Sequence, residues 1–181
     1  GDSSFNTGLG NSTAIKAMAT GTMCATAFVG DGSGLTGISA GFTPDDQGNL
    51  YAGTNAGAAS DVDTLRNIAI GCNAGCNLCA GDDNVYIGTQ VGAANSLGNL
   101  NVHIGYEAGR CHESSYQNVF IGLQAGKFAL KAVGGDLTSD NIYIGSRAGF
   151  CGGYNRNIAI GADAMRAHAG GACQNIAIGY E

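Results

Sequence analysis

A nine-residue pattern recurs along the chain: Asn, aliphatic, variable, Ile, Gly, two variable residues, Ala, Gly. It begins at Asn49 (NLYAGTNAG), Asn67 (NIAIGCNAG), Asn84 (NVYIGTQVG), Asn101 (NVHIGYEAG), Asn118 (NVFIGLQAG), Asn141 (NIYIGSRAG), Asn157 (NIAIGADAM) and Asn175 (NIAIGYE). The steps between copies are 18, 17, 17, 17, 23, 16 and 18 residues. NTGLGNSTA at Asn6 is a degenerate further copy. Repeats of this length cannot bury an apolar side alone and must stack on their neighbours.

Each unit has room for one or two short strands and their turns. The two aliphatics of N-[ILV]-x-I-G are two residues apart, so they share one face of a strand. That face is expected to point inward. The expected core is Ile68, Ile70, Val85, Ile87, Val102, Ile104, Val119, Ile121, Ile142, Ile144, Ile158, Ile160, Ile176 and Ile178. The asparagines Asn67, Asn84, Asn101, Asn118, Asn141, Asn157 and Asn175 form a column able to make a side-chain amide ladder. Gly71 and its equivalents end the strand where a side chain would block a tight bend or where φ must be positive. A helical reading fails, because glycine every few residues costs roughly 1 kcal/mol each. The expectation is an all-β chain, a parallel β-solenoid or β-roll of ~17-residue rungs. Eight rungs at ~4.8 Å give a rod about 40 Å long. A rod so thin has a meagre core by itself, so several chains, three by expectation, would share an interior or stack into a fibre.

Composition removes the competing classes. Glycine supplies 32 of 181 residues, but not every third one, and proline occurs once, so a collagen helix is excluded. The apolar share of 44% is too high for a solvated disordered tail. No stretch approaches ~18 uninterrupted apolar residues, so no membrane insertion is expected. Eight Lys and Arg against fourteen Asp and Glu, a net charge of −6, have the wrong sign for a nucleic-acid partner.

The N-x-A-I-G units resemble the head-domain repeats of trimeric autotransporter adhesins. They are still more similar to the N-[TI]-AIG-x-x-AG arrays of phage tail fibres and related bacterial surface proteins. The match covers residues 49–181 well and 6–14 weakly. The stretch Phe28–Ile38, FVGDGSGLTGI, resembles a short motif common beside such arrays in tail-fibre proteins. Two features depart from the adhesin heads. The step here is longer, and the variable position, often Ala there, is Tyr51, Ala69, Tyr86, His103, Phe120, Tyr143, Ala159 and Ala177. The resemblance implies a parallel β-roll, self-association as a homotrimer, and an extracellular, cell-surface or virion location.

Three segments follow: 1–14 as a degenerate repeat or cap, 15–48 as a non-repeating connector, and 49–181 as the eight-copy array. Within the connector, Gly32, Gly34 and Gly37 satisfy G-x-G-x-x-G, but no helical period follows to meet a pyrophosphate, so a plain turn is the reading.

No constellation announces catalysis. Seven cysteines cannot all pair within one chain. Cys72, Cys76, Cys79, Cys111, Cys151 and Cys173 are candidates for disulfides, or alternatively small buried hydrophobes. Cys72, Cys76 and Cys79 have the C-x₃-C-x₂-C spacing of an iron–sulfur motif, without the large α/β barrel such a cluster needs. His103, His112 and His168 show no ligand spacing. Asp61 with Asp63 and Asp82 with Asp83 could hold calcium at corners, though without an EF-hand pattern; otherwise no cofactor is expected. The column Tyr86, His103, Phe120 and Tyr143 reads either as a second buried face packed on another chain or as an exposed stripe that stacks on sugar rings. The long connection Lys127–Asp140 is a candidate contact loop.

The sequence therefore leads to a non-enzymatic structural segment of an elongated extracellular or virion fibre, a stalk or receptor-binding shaft. The alternatives are a self-polymerising filament joined through open solenoid ends and a glycan-binding repetitive face.

Overall fold

A computed structural model describes residues 44–128, 138–151, 155–167 and 173–180. The chain divides into two compact units, Gly1–Gly37 and Ile38–Glu181, and every described residue belongs to the second. The degenerate first copy, the FVGDGSGLTGI stretch, Cys24, His168 and most of the long connection lie outside the described residues.

Each copy of the pattern forms one three-residue strand. In chain order these are β1 (Leu50–Ala52), β2 (Ile68–Ile70), β3 (Val85–Ile87), β4 (Val102–Ile104), β5 (Val119–Ile121), β6 (Ile142–Ile144), β7 (Ile158–Ile160) and β8 (Ile176–Ile178). They make one parallel sheet in sequence order. Like pairs with like: Ile68 sits beside Val85, Ala69 beside Tyr86 and Ile70 beside Ile87, and so on along the stack. The chain winds once between neighbouring strands, which makes a parallel β-solenoid of seven coils. Among the described residues there is no helix.

Backbone bonds between coils continue beyond the strands. Val85 N donates to Asn101 O at 2.8 Å, Gly88 N to Ile70 O at 2.8 Å, and Gly92 N to Ala108 O at 3.0 Å. A strand of three residues is marginal alone; among the described residues the bonds to the next coil run on through the turns, and the stack is the stable unit. The glycine that ends each strand is required by close approach. Gly71 has φ 129°, and a Cβ there would lie well inside contact distance of the Gly88 carbonyl one coil on.

The core reverses the inward face expected from the aliphatic pattern. In β2 to β5 the middle residue is fully buried and the aliphatics on either side of it are not. Ala69, Tyr86, His103, Phe120 and Ala159 are 0% exposed, whereas Ile87, Ile142, Ile144 and Ile160 are 36% exposed. Ile68, Ile70, Val85, Val102, Ile104, Val119, Ile121 and Ile158 are half-buried on that same outer face, and Ile176 and Ile178 are well exposed. The physical reason is strand parity. Asn67, Ala69 and Gly71 alternate with Ile68 and Ile70, so one set must face out. The inward set carries the asparagine, whose amide must find buried partners, and the middle side chain that fills the narrow coil.

The asparagine bonds are explicit. Asn67 Nδ2 donates to Leu65 O at 3.0 Å and to Gly81 O at 2.7 Å, carbonyls of the turns that enter β2 and β3, and Asn84 Nδ2 donates to Gly98 O at 2.7 Å. Each Asn Oδ1 in turn accepts the backbone N–H and the side-chain amide of the next Asn, from Asn49 through Asn175. The ladder is therefore internal and ties each strand to the turn that leads into the next one. Ala74, Val91, Ala108, Ala125 and Ala148 close the adjoining corner and are completely buried.

Candidate functional site

The aromatic column lies inside the coil. Tyr86, His103, Phe120 and Tyr143 occupy consecutive rungs, and the ~4.8 Å strand spacing places their rings at stacking distance. Ring centroids are 5.2 Å apart for Tyr86–His103, 4.7 Å for His103–Phe120 and 5.0 Å for Phe120–Tyr143. The last two pairs lie within 11° and 7° of parallel. The column is a second buried face, as one of the two sequence readings has it, but it is buried within its own chain and not on another, and that burial also corrects the sugar-stacking reading.

The rings fit because the facing corner carries glycine. A Cβ on Gly126 would come within 2.8 Å of the Phe120 ring, and one on Gly92 within 2.9 Å of the Tyr86 ring. The opposite wall varies in compensation. The rung with small Ala69 carries Leu78, that with Tyr86 carries Asn95, and that with His103 carries His112, all buried. His112 meets the Phe120 ring edge-on at 5.0 Å, and its Nε2 contacts the Gly126 carbonyl at 3.0 Å.

Burial sets the electrostatics of this interior. It pushes the Tyr86 hydroxyl far up, with the neighbouring Asn101 and Asn95 side chains opposing, and takes Tyr143 up to about 12, opposed by Asn157. It holds His103 well below its usual value, helped by the charge of His112. It brings His112 down to about 4, with the Gly126 carbonyl opposing. Neutral rings are thus the form that fits.

The outer face of the sheet has the opposite character. It is two side chains wide, carries Leu, Val, Ile and Ala alone, and runs through all eight strands. At ~4.8 Å per step its length is roughly 34 Å. One flank carries Arg66, Asp83, Leu100, Gln117, Asp140 and Arg156, and Arg66 and Asp83 form a two-pronged ion pair at 2.7 and 2.8 Å. The other flank carries Thr54, Cys72, Thr89, Tyr106, Leu123 and Ser146; Tyr106 and Leu123 extend the apolar strip. Contiguous apolar strips beyond roughly a few hundred Å² are uncommon on monomers and mark contact surfaces.

The six described cysteines are free thiols, which corrects the disulfide reading for Cys72, Cys76, Cys79, Cys111, Cys151 and Cys173 within one chain. Cys72, Cys151 and Cys173 are exposed, and the Cys76 and Cys79 thiols donate to the Ala93 and Ser96 carbonyls of the next coil at 3.5 Å. Asp61 accepts from Asp63 N and from the Thr64 hydroxyl, Asp82 from Leu65 N, and Asp83 pairs with Arg66. Among the described residues no group of three or more His, Cys, Asp or Glu is placed to hold a metal ion. Among them, too, no helix is long and apolar enough to cross a membrane.

The outer face is the surface that inward placement of the aliphatics missed. The parity of the asparagine column states that it and the aliphatics lie on opposite faces, and its buried hydrogen bonds decide which face is inward. No protein-family model, curated protein or solved structure matches the chain.

Proposed function

We propose that this chain is a non-enzymatic structural section of an elongated extracellular or virion fibre, in which three copies pack their outer aliphatic faces around a common axis. The observation that carries this reading is the uninterrupted outward ladder of aliphatic residues from β1 to β8, all β-branched from β2 onward. Ile87, Ile142, Ile144 and Ile160 still expose 36% of their surface, so covering each contributes about 0.5–1 kcal/mol, a third of the value for full burial. The occupant of the face is a further copy of the chain. Its own rungs repeat the same two aliphatics at the same rise, so copies related by a rotation axis along the rod meet in register. The number three comes from the adhesin heads and tail fibres that the N-x-A-I-G units resemble.

Light scattering on the eluting protein tests it. The expected mass at micromolar concentration is three times the 18.1 kDa of one chain. Ile87→Glu with Ile104→Glu should return a single-chain mass with an unchanged circular-dichroism spectrum. A compact wild-type monomer would overturn the proposal. Long uniform filaments in electron micrographs would replace it with end-to-end stacking of the coils.

A further inference from the structure

His103 stands out as a titratable group sealed inside the rod with neither ring nitrogen hydrogen-bonded. A buried polar group without partners costs stability, and aromatic residues fill the same column in the next two rungs without that cost. The ring has no slack around it. Tyr86 and Phe120 lie above and below it, and the Gly109 corner is so close that a Cβ there would overlap the imidazole. A second buried histidine shares the coil: His112 lies 6.0 Å from His103 between centroids, edge to face.

Among the described residues no side chain facing either ring carries a negative charge, and the Gly126 carbonyl only partly offsets the burial of His112. Tyr86 is the titratable group facing His103 from β3, and β5 presents Phe120. Around His112 are Phe120, the Gly126 carbonyl and Thr138, whose Oγ1 lies 3.3 Å from Nδ1. The carboxylate of the same coil, Glu107, is committed to Arg110, Lys127 and Gln124. Protonating either histidine places an unpaired cation beside the other in an apolar stack.

Going beyond the fibre reading, and independent of it, we propose that the His103–His112 coil is an acid-sensitive section, which loosens when the pH falls below the ordinary histidine range while the alanine-filled coil at β7 stays closed. Both groups have a lowered folded value, so their neutral form supports the fold fully above about 6.5. That support is lost as the pH falls below it, about tenfold in the opening equilibrium per pH unit for each histidine that must take up a proton. A solenoid transmits such a change to neighbouring coils only, so it opens locally.

Amide hydrogen exchange on the full chain, read by mass spectrometry at pH 7.5 and 5.5, tests this. Both values stay above the ordinary carboxylate range. After correction for intrinsic rates, protection over Val102–Ile104 and Val119–Ile121 should fall at least tenfold more than over Ile158–Ile160. His103→Phe with His112→Asn should abolish the difference; the first extends the ring stack and the second copies Asn95 one coil earlier. Equal change in both segments, or a difference that survives in the variant, would overturn the proposal. If the pair does not fold, His103→Phe alone decides: it must reduce the difference, and an unreduced difference sinks the idea.

Discussion

The side-chain oxygen of Asn84 accepts two hydrogen bonds from Asn101 in the next coil, one from its backbone N–H and one from its side-chain amide, both at 3.0 Å. The same Asn101 amide donates to the Ser115 carbonyl, in the turn that enters β5, at 2.7 Å, and the Asn101 oxygen takes both donors of Asn118. One residue thereby ties three strands and a turn. Asn101→Leu keeps the volume and removes every one of those side-chain bonds. It leaves the Ser115 carbonyl and the Asn118 donors short of partners in a dry interior. At roughly 1–3 kcal/mol per unsatisfied buried group, the expected loss is about 3–5 kcal/mol. A urea titration comparing midpoints at constant slope checks this; a loss below ~1 kcal/mol would show that the ladder is ornamental.

Glycine near the rings makes a prediction about pairs. Gly126 has φ 59°, and a Cβ there would press on Phe120. Gly126→Ala therefore carries two penalties, the left-handed backbone at ~1–2 kcal/mol and the ring contact. Phe120→Ala removes the second alone. A double-mutant cycle should show the Gly126 substitution ~1–2 kcal/mol milder when Phe120 is Ala. Gly122→Ala behaves differently, because its Cβ would meet the Gly145 carbonyl at 2.5 Å, and no side-chain truncation relieves a backbone clash. Additive effects at Gly126 would refute the packing account.

Much of this fold is legible before any coordinates. The step between asparagines marks each coil, and every strand begins on the residue after the motif Asn, from Leu50 to Ile176. The positive φ of Gly71 is likewise readable from its place at the strand end. The inward face is not, because alternation states only that Ile68 and Ile70 point the same way. The choice is made by the Asn67 amide, which turns inward to the Leu65 and Gly81 carbonyls of the turns entering β2 and β3, and the second partner, 14 residues on, is found only when the coils are stacked. Placing hydrophobic residues inside is sound for an isolated domain, and it fails where the apolar surface is a face of an open rod. The pairing of Tyr86 with Asn95, and of Ala69 with Leu78, becomes meaningful once the width of the coil is known.

Glu107 predicts a separate acid limb. Against the desolvation of its carboxylate, hydrogen bonds from Lys127 and Gln124 and the charges of Lys127 and Arg110 hold it below its ordinary value. A lowered folded value means that the contribution is complete above the ordinary value of 4.5 and is lost as the pH falls through the folded one. Glu107→Gln should therefore be less stable than wild type at pH 7, and the two stability curves should converge below pH ~4. Thermal melts across pH 3 to 7 provide the comparison. Curves that stay parallel throughout would mean that Glu107 contributes through shape and not through charge. This limb lies below the histidine range, so the two effects separate on the pH axis.

Leu100 occupies a backbone conformation that suits it poorly. It precedes the motif Asn at φ 61°, and its equivalents Asp83, Gln117 and Asp140 share that left-handed geometry at 57°, 57° and 59°. The conformation costs an L-residue with a branched apolar side chain ~1–2 kcal/mol, and asparagine or glycine far less. The side chain is 53% exposed on the flank of the aliphatic face, so little packing is forfeited by replacing it within a single chain. Leu100→Asn should raise the stability of the dissociated chain by about 0.5–1 kcal/mol. The informative comparison is with the associated form. If the flank of the face meets a neighbouring copy, Leu100→Asn gains less, or loses, at concentrations where the chains are assembled. Urea midpoints measured in the Ile87→Glu, Ile104→Glu background and in the wild-type background would then move in different amounts. Equal shifts in both would place Leu100 outside the contact and confine the interface to the two aliphatic columns themselves.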